Sequence, residues 1–593
     1  MMRARTEIWQ SISQPWDLLV IGGGITGAGI LREAARLGLR ALLVEQRDFA
    51  WGTSSRSSKL VHGGLRYLKQ GKLGLTWASV REREELLNEG PGLVDPLGFL
   101  LSVYKGDFPG RWTFALGLTV YDMLALRWEH GFYSPQDFEM LAPHVARKNL
   151  EGGFRYADAQ TDDARLTLRV LQEACAINHA CAINHTRAEM QSNACAINYV
   201  HAERLLRSNG LVDGAVLHDL EGGERVEVHA RVVINATGAW VDHLRQQVGG
   251  KARIRPLRGS HLIFPAWRLP LAQAISFLHP LDRRPVFIFP WEGVVMIGTT
   301  DVDHPHSLDE EPAISPEEVS YLLAAVESEF PSLDIGLEDV LSTLAGVRPV
   351  IGSGQEDPSK ESREHVVWDE SGLLSVTGGK LTTFRLIAQD AIRAVRHRLP
   401  GLPEPSMEAP VLDPVNLVLP ADKPLDKPTR RRLLGRYGTQ AAQLVTAAQP
   451  GELEPIPGTL TLWAELRWAA RTEQVCHLDD LMLRRTRLGL LIPQGGASIL
   501  PALAHICQQE LGWNDERWES EQARYQALWR RCYSLPPEAL IPAWREPVRR
   551  ALAARDAQPS LPQRAMPPAV VGALLVGVGL LGYWLYRRRK RNT

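Results

Sequence analysis

The tightest constraint on the fold is a short run near the start of the chain, Asp17-Leu-Leu-Val-Ile-Gly-Gly-Gly-Ile-Thr-Gly-Ala-Gly29. A brief, uninterrupted apolar stretch reads as a strand buried on both faces, and the glycines behind it let the chain turn sharply into a helix. That helix carries Ile30, Leu31, Ala34, Ala35 and Leu37 and stops at Gly38. Ala41-Leu-Leu-Val-Glu45 then supplies a second strand, so a parallel βαβ unit is predicted. In that setting Gly22-x-Gly24-x-x-Gly27 brings backbone N–H groups close to a pyrophosphate at a helix N-terminus. Glu45 stands 18 residues past Gly27, where a carboxylate accepts ribose hydroxyls. An adenine dinucleotide is the expected ligand, and a glycine turn that merely packs is the alternative.

The residues after Glu45 select among dinucleotides. The segment Trp51-Gly-Thr-Ser-Ser-Arg-Ser-Ser-Lys-Leu-Val-His-Gly-Gly-Leu-Arg-Tyr67 is dense in donors: Thr53, Ser54, Ser55, Ser57, Ser58 and Lys59 suit phosphate and the electron-rich edge of an isoalloxazine ring. Gly63 and Gly64 permit close approach to the ring face. FAD fits this better than a nicotinamide cofactor. A second glycine turn, Gly378-Gly-Lys-Leu-Thr-Thr383, lies between a predicted strand at Leu373–Thr377 and a helix starting at Phe384. Its N–H groups, with Gly379, Leu381 and Thr382 foremost, can stabilise the negative side of a reduced flavin.

Strand-like and helical runs alternate to about residue 400, proline thickens between Pro400 and Pro428, and the pattern beyond is helical. The expected units are an FAD-binding and interleaved substrate-binding region over 1–400, a helical domain over 405–545, a linker over 546–568 and a transmembrane helix with basic tail over 569–593. The last rests on the uncharged stretch Ala569–Tyr586 closed by Arg587-Arg-Arg-Lys-Arg591. At about 1.5 Å per residue such a helix matches a hydrocarbon core of about 30 Å. A single-pass protein is therefore expected, and because basic residues flank the span at both ends, it is the large domain's need for a cytosolic cofactor that places the catalytic body in the cytoplasm. Balanced charge, 67 Lys+Arg against 68 Asp+Glu, gives no footprint for nucleic acid. Six cysteines are too few for a disulfide framework, and no secretory leader opens the chain, which points to a reducing compartment.

Ala-Cys-Ala-Ile-Asn occurs three times, at Ala174, Ala180 and Ala194. Cys175, Cys181 and Cys195 with His179 and His185 make a candidate zinc set. A tandemly duplicated segment bulging from a surface connection is preferred, because insertions there cost little entropy, and no metal site is assigned.

The ordered motifs carry a resemblance. Gly22–Gly29, Thr53–Tyr67, Thr161-Asp-Asp-Ala-Arg165, Asn235-Ala-Thr-Gly238, Arg258-Gly-Ser-His261, Ile297-Gly-Thr-Thr-Asp301, Gly346-Val-Arg-Pro349, Gly378–Thr383 and Arg484-Arg-Thr-Arg-Leu-Gly489 resemble the FAD-dependent glycerol-3-phosphate dehydrogenases, over roughly residues 15 to 535. These sit within the D-amino-acid-oxidase-like flavoproteins. The resemblance implies an α/β fold: a Rossmann-like FAD domain, an interleaved antiparallel-sheet substrate domain and a helical C-terminal domain. It implies oxidation of sn-glycerol 3-phosphate to dihydroxyacetone phosphate, with electrons passed to a membrane quinone. An oxidase that makes hydrogen peroxide and an inactive flavin-binding membrane protein are the alternatives. Within the resemblance His62 is the candidate base, with His261 its rival or a substrate contact, and Arg348 faces substrate over the flavin. Arg66, Tyr67, Arg363 and Lys380 bind phosphate, while Val200 and Gly238 approach the cofactor from the strands that carry them.

Overall fold

Residues 2–64, 73–107, 110–125, 127–177, 194–352, 354, 361 and 364–557 are described by the structure, a computed structural model of the chain. The predicted βαβ unit is its centre. Strand Trp16–Ile21 runs parallel to Ala41–Val44 on one side and to the end of Arg225–Asn235 on the other. Leu373–Thr377 and Ala194–Ile197 extend the parallel core outwards, with Val366–Glu370 antiparallel at one edge. Leu18, Leu19 and Val20 and all four residues of Ala41–Val44 are buried. Such unbroken apolar strands need cover on both faces. Helices Ile25–Arg36, Asp163–Ala176 and Phe384–Val395 pack on one face. A meander of Val200–Ser208, Leu211–Asp219 and the first half of Arg225–Asn235 covers the other.

The second sheet has ten strands and is largely antiparallel. Its long members are Val94–Tyr104, Leu150–Thr161, Ile254–Pro265 and Ser342–Ile351. They leave and re-enter the first sheet's sequence, which is the expected interleaving. The register of Ile254–Pro265 against Ser342–Ile351 sets Leu257 opposite Arg348 and His261 opposite Leu344. After Leu373–Thr377 no strand follows among the described residues, and the chain continues through helices Lys427–Tyr437, Trp463–Thr472, Leu500–Leu511 and Asp515–Cys532.

The membrane expectation is corrected. No helix among the described residues is long and apolar enough to cross a membrane. The transmembrane helix in the expected fold class, and the single-pass membrane localisation drawn from it, do not stand. The late helices are amphipathic: Asp515–Cys532 buries Trp518 and Tyr525 but carries Asp515, Glu516, Arg517 and Glu519. Ala569–Tyr586 lies outside the described residues. Part of the expected linker is helical, since Arg545–Ala557 forms a helix with Val548 buried and Arg545 paired to Asp334 at 2.6 Å.

The repeated pentapeptide takes two conformations. Its first copy closes helix Asp163–Ala176, whereas the third is strand Ala194–Ile197, in register with Ala41–Val44. Packing context, not local preference, chooses between them. Cys181, His179 and His185 lie outside the described residues.

Candidate active site

Strand Trp16–Ile21 ends in a turn that only glycine can make. Gly22 has φ +115°, and a Cβ there would stand 2.6 Å from the carbonyl oxygen of Ala236. A Cβ on Gly27 would come within 1.9 Å of the Gly22 carbonyl, so the helix reaches the strand this closely only without a side chain. Gly24 caps that helix and has no side chain of its own to accept from the first-turn N–H groups, an arrangement that suits an anion. Around the turn, Glu45 accepts from Gly23 N at 2.7 Å and Arg47 N at 2.9 Å, and Ser54 Oγ accepts from Ile25 N at 2.9 Å. Burial pushes the Glu45 carboxyl above its ordinary range despite those two N–H donors.

The second glycine turn meets the first across one open cavity. Gly378 and Gly379 have φ of +78° and +79°. Thr377 donates from Oγ1 to the Gly238 carbonyl at 3.0 Å. Gly22, Gly24, Glu45, Thr53, Ser54, Val200, Gly238, Gly379, Lys380 and Leu381, all expected site residues, line this cavity. An elongated dinucleotide fits this donor set: a ribose acceptor at Glu45, a helix N-terminus behind Gly24, and a second run of N–H groups at Gly379–Leu381.

Beyond Lys380, hydrogen bonds tie together residues 53–63, 299–301, 347–349 and 380–382. Thr53 donates to the Val347 carbonyl at 2.5 Å, beside Arg348. Arg348 donates from Nη1 to Asp301 Oδ1 at 2.8 Å and from Nη2 to Thr299 Oγ1 at 2.9 Å, and its neighbour Pro349 lines the cavity. Thr382 donates from Oγ1 to the His62 carbonyl at 3.3 Å, tying the second glycine turn to the His62-Gly63 segment. Gly63 N donates to Asp158 at 3.0 Å. The Lys380 ammonium sits 3.4 Å from Ser79 Oγ.

Two expected site residues stand behind the cavity wall. His261 is buried and shares a 2.9 Å hydrogen bond with Ser58 Oγ. Burial, then the Lys59 and Arg348 charges, lower its pKa to about 3, so the ring is neutral. Lys59 is fully buried, donating to Ser55 O at 2.6 Å and Asp163 at 2.8 Å. Burial, then the Arg487 charge, lower its pKa to about 8. Arg66, Tyr67 and Arg363 lie outside the described residues.

Sequence reasoning missed several members. Thr299 and Asp301, which hold Arg348, belong to the Ile297–Asp301 motif, whose residues received no individual role. Trp51 and Trp240, with ring centroids 5.6 Å apart, line the cavity and carried no local signal.

Comparison with known proteins agrees with this geometry. The family described as FAD dependent oxidoreductase matches residues 17–385, and that described as the C-terminal domain of alpha-glycerophosphate oxidase matches residues 383–518. The chain is 34% identical over 504 residues to an aerobic glycerol-3-phosphate dehydrogenase of Staphylococcus aureus (strain USA300), covering 79% of this chain and 86% of that protein. The Staphylococcus haemolyticus protein of the same name gives 34% over 510 residues, 80% and 87%. Among solved structures, the glycerol-3-phosphate dehydrogenase of Bacillus halodurans complexed with FAD superposes with a TM-score of 0.69 at 28% identity, covering 89% of this chain and 97% of that one.

Proposed function

The chain belongs to the FAD-dependent glycerol-3-phosphate dehydrogenase family, and on that premise we propose that it oxidises sn-glycerol 3-phosphate to dihydroxyacetone phosphate and hands the electrons to a quinone. The observation that carries the reading is the meeting of two glycine turns in one cavity, with Lys380 in its lining and the Arg348 segment against its wall. FAD, when bound, supplies the two-electron acceptor for the hydride on carbon 2.

The chain's own residues do the rest. Gly22, Gly24 and Gly27 admit the pyrophosphate to the helix N-terminus, and Glu45 takes the ribose. His62 accepts the carbon-2 hydroxyl proton, a task suited to an imidazole near neutral pH. Arg348, held by Asp301 and Thr299, offers a guanidinium to the oxygen that gains charge as that proton leaves. Lys380 meets the phosphate dianion, with Arg66, Tyr67 and Arg363 as its expected partners. Ser58 and His261 act as a pair: the neutral ring fixes the hydroxyl of the flavin-facing segment. Lys59, sealed against Asp163, supports that segment from behind.

The dehydrogenase name of the relatives favours an acceptor other than oxygen, and the oxidase name of the family matching residues 383–518 favours oxygen as the second reading. Substrate-reduced enzyme mixed with a water-soluble quinone or with air-saturated buffer separates them. Fast reoxidation by quinone and slow peroxide formation is the expected result; stoichiometric peroxide at turnover speed would establish the oxidase instead. In steady state, glycerol lacking the phosphate should be turned over far more slowly than glycerol 3-phosphate.

A further inference from the structure

The cavity-lining segment 53–59 has a second side, and the C-terminal helical domain is built against it. Thr53, Ser54 and Ser57 line the cavity, whereas the Ser55 carbonyl, Arg56 and Lys59 point into charged groups. Arg487, from the loop after the π-helical turn Asp480–Arg485, donates from Nη1 to Ser55 O at 3.1 Å and from Nε to Asp162 Oδ1 at 3.0 Å, and Nη2 pairs with Asp163. Asp163 in turn accepts from Ser57 N at 2.9 Å, Ser57 Oγ at 2.7 Å and Lys59 Nζ at 2.8 Å. Arg484 and Arg485 close on Asp48, just upstream, at 2.5 and 2.6 Å. On the far side Arg56 reaches Tyr533 at 3.3 Å and pairs with Glu311.

All of Asp48, Lys59, Asp162, Asp163, Arg484, Arg485 and Arg487 are buried. Ion pairs sealed from water are a poor route to stability, since apolar residues of similar volume would hold two domains together at least as well. They are good at fixing one register: each guanidinium has a planar fork that tolerates little displacement of its partner. Here the partners are the backbone and side chains whose opposite faces form the cofactor wall. Arg487 also holds a left-handed backbone, φ +64°, which aims its fork at Ser55 and Asp163 together.

We propose that Arg487 is a positioning residue for the flavin, and that the helical domain serves as a buttress setting the geometry of residues 53–59. The proposal rests on the reading that FAD occupies the cavity.

The test compares purified holoenzymes: wild type, Arg487→Ala, Arg487→Lys, and Arg467→Ala as a control for damage to the same domain. Arg467 is buried and pairs with Glu452 and Glu510 at 2.7 Å, within the C-terminal domain and without contact to residues 53–59. FAD release is followed by the rise in free-flavin fluorescence, alongside the absorbance spectrum of the bound cofactor and the melting temperature. Arg487→Ala should release FAD about tenfold faster, the order that outer-layer partners contribute at other sites, with a shifted flavin band. Arg487→Lys should recover part of the loss, and Arg467→Ala should melt earlier yet keep the wild-type release rate and spectrum. If Arg487→Ala yields no folded protein, Arg487→Lys against Arg467→Ala decides the matter in the same way. Equal release rates in the Arg487 and Arg467 variants, with wild type holding FAD, would overturn the buttress alone. Wild-type protein that neither holds nor rebinds FAD would overturn the cofactor reading beneath it.

Discussion

The guanidinium of Arg348 is gripped by Asp301, Nη1 to Oδ1 at 2.8 Å, and the two residues come from segments on opposite sides of strand Ile254–Pro265, 47 positions apart. Asp301 is nearly buried, and Thr299 takes the other nitrogen. The arginine thus has one orientation, set before any substrate arrives, which is the condition under which a cation stabilises charge that develops during reaction.

Replacing Asp301 with Asn keeps the shape and removes the charge. Turnover should fall by about tenfold or more while FAD stays bound, because only the aim of Arg348 is lost. Steady-state kinetics with glycerol 3-phosphate and a flavin absorbance spectrum check this together; unchanged kcat would show that Arg348 needs no such support.

Gly27→Ala places a methyl group 1.9 Å from a backbone carbonyl that cannot rotate away. The helix must move off the strand, at a cost of ~3 kcal/mol, and the pyrophosphate site opens. Gly74→Ala is the counterpart: a helical glycine with nothing within 4 Å of the new methyl, expected to be neutral or to stabilise by up to about 1 kcal/mol. Thermal melting with FAD stoichiometry distinguishes the two variants.

His477 joins the two domains, hydrogen-bonding Glu521 at 2.9 Å and Glu221 at 3.2 Å. Burial disfavours its charge, but the two carboxylates prevail and raise its pKa to about 9 from 6.5. A raised folded-state pKa gives stability that is complete below pH 6.5 and is lost as pH rises through about 9. Melting temperature should therefore decline across that window more steeply in wild type than in His477→Gln. Parallel profiles would show that the pair contributes nothing.

Deleting residues 180–193 joins His179 directly to Ala194, leaving one copy of the pentapeptide to end the helix and one to form the strand. Connections of this length are common between a helix and a parallel strand. The shortened protein should bind FAD and melt like the parent. Loss of FAD would mean that the insert has a role in the fold or the cofactor site.

The parts of the site that sequence made visible are those whose reasons are local. The Gly22 to Gly27 turn follows from backbone angles and a close carbonyl, and the Gly378–Gly379 turn from its place between a strand and a helix. The hidden parts depend on partners far along the chain. Arg487 sits in the run Arg484–Gly489, which carried part of the resemblance without an individual role, and only its contact with Ser55, 432 residues away, shows what it holds. Lys59 read as a phosphate ligand because it comes after a serine run, yet the Asp163 carboxylate captures it from behind. The reading of Ala569–Tyr586 as a span rested on the length of its uncharged stretch and the basic residues that close it, and the membrane architecture drawn from it has no support among the described helices.

The central claim is that one cavity brings a flavin against a small phosphorylated alcohol, and anaerobic titration of the purified holoenzyme with glycerol 3-phosphate tests it most directly. The oxidised flavin band should bleach in proportion to substrate added, with dihydroxyacetone phosphate formed in equal amount and no bleaching by glycerol alone. A yellow protein whose spectrum is unmoved by excess glycerol 3-phosphate would contradict the claim.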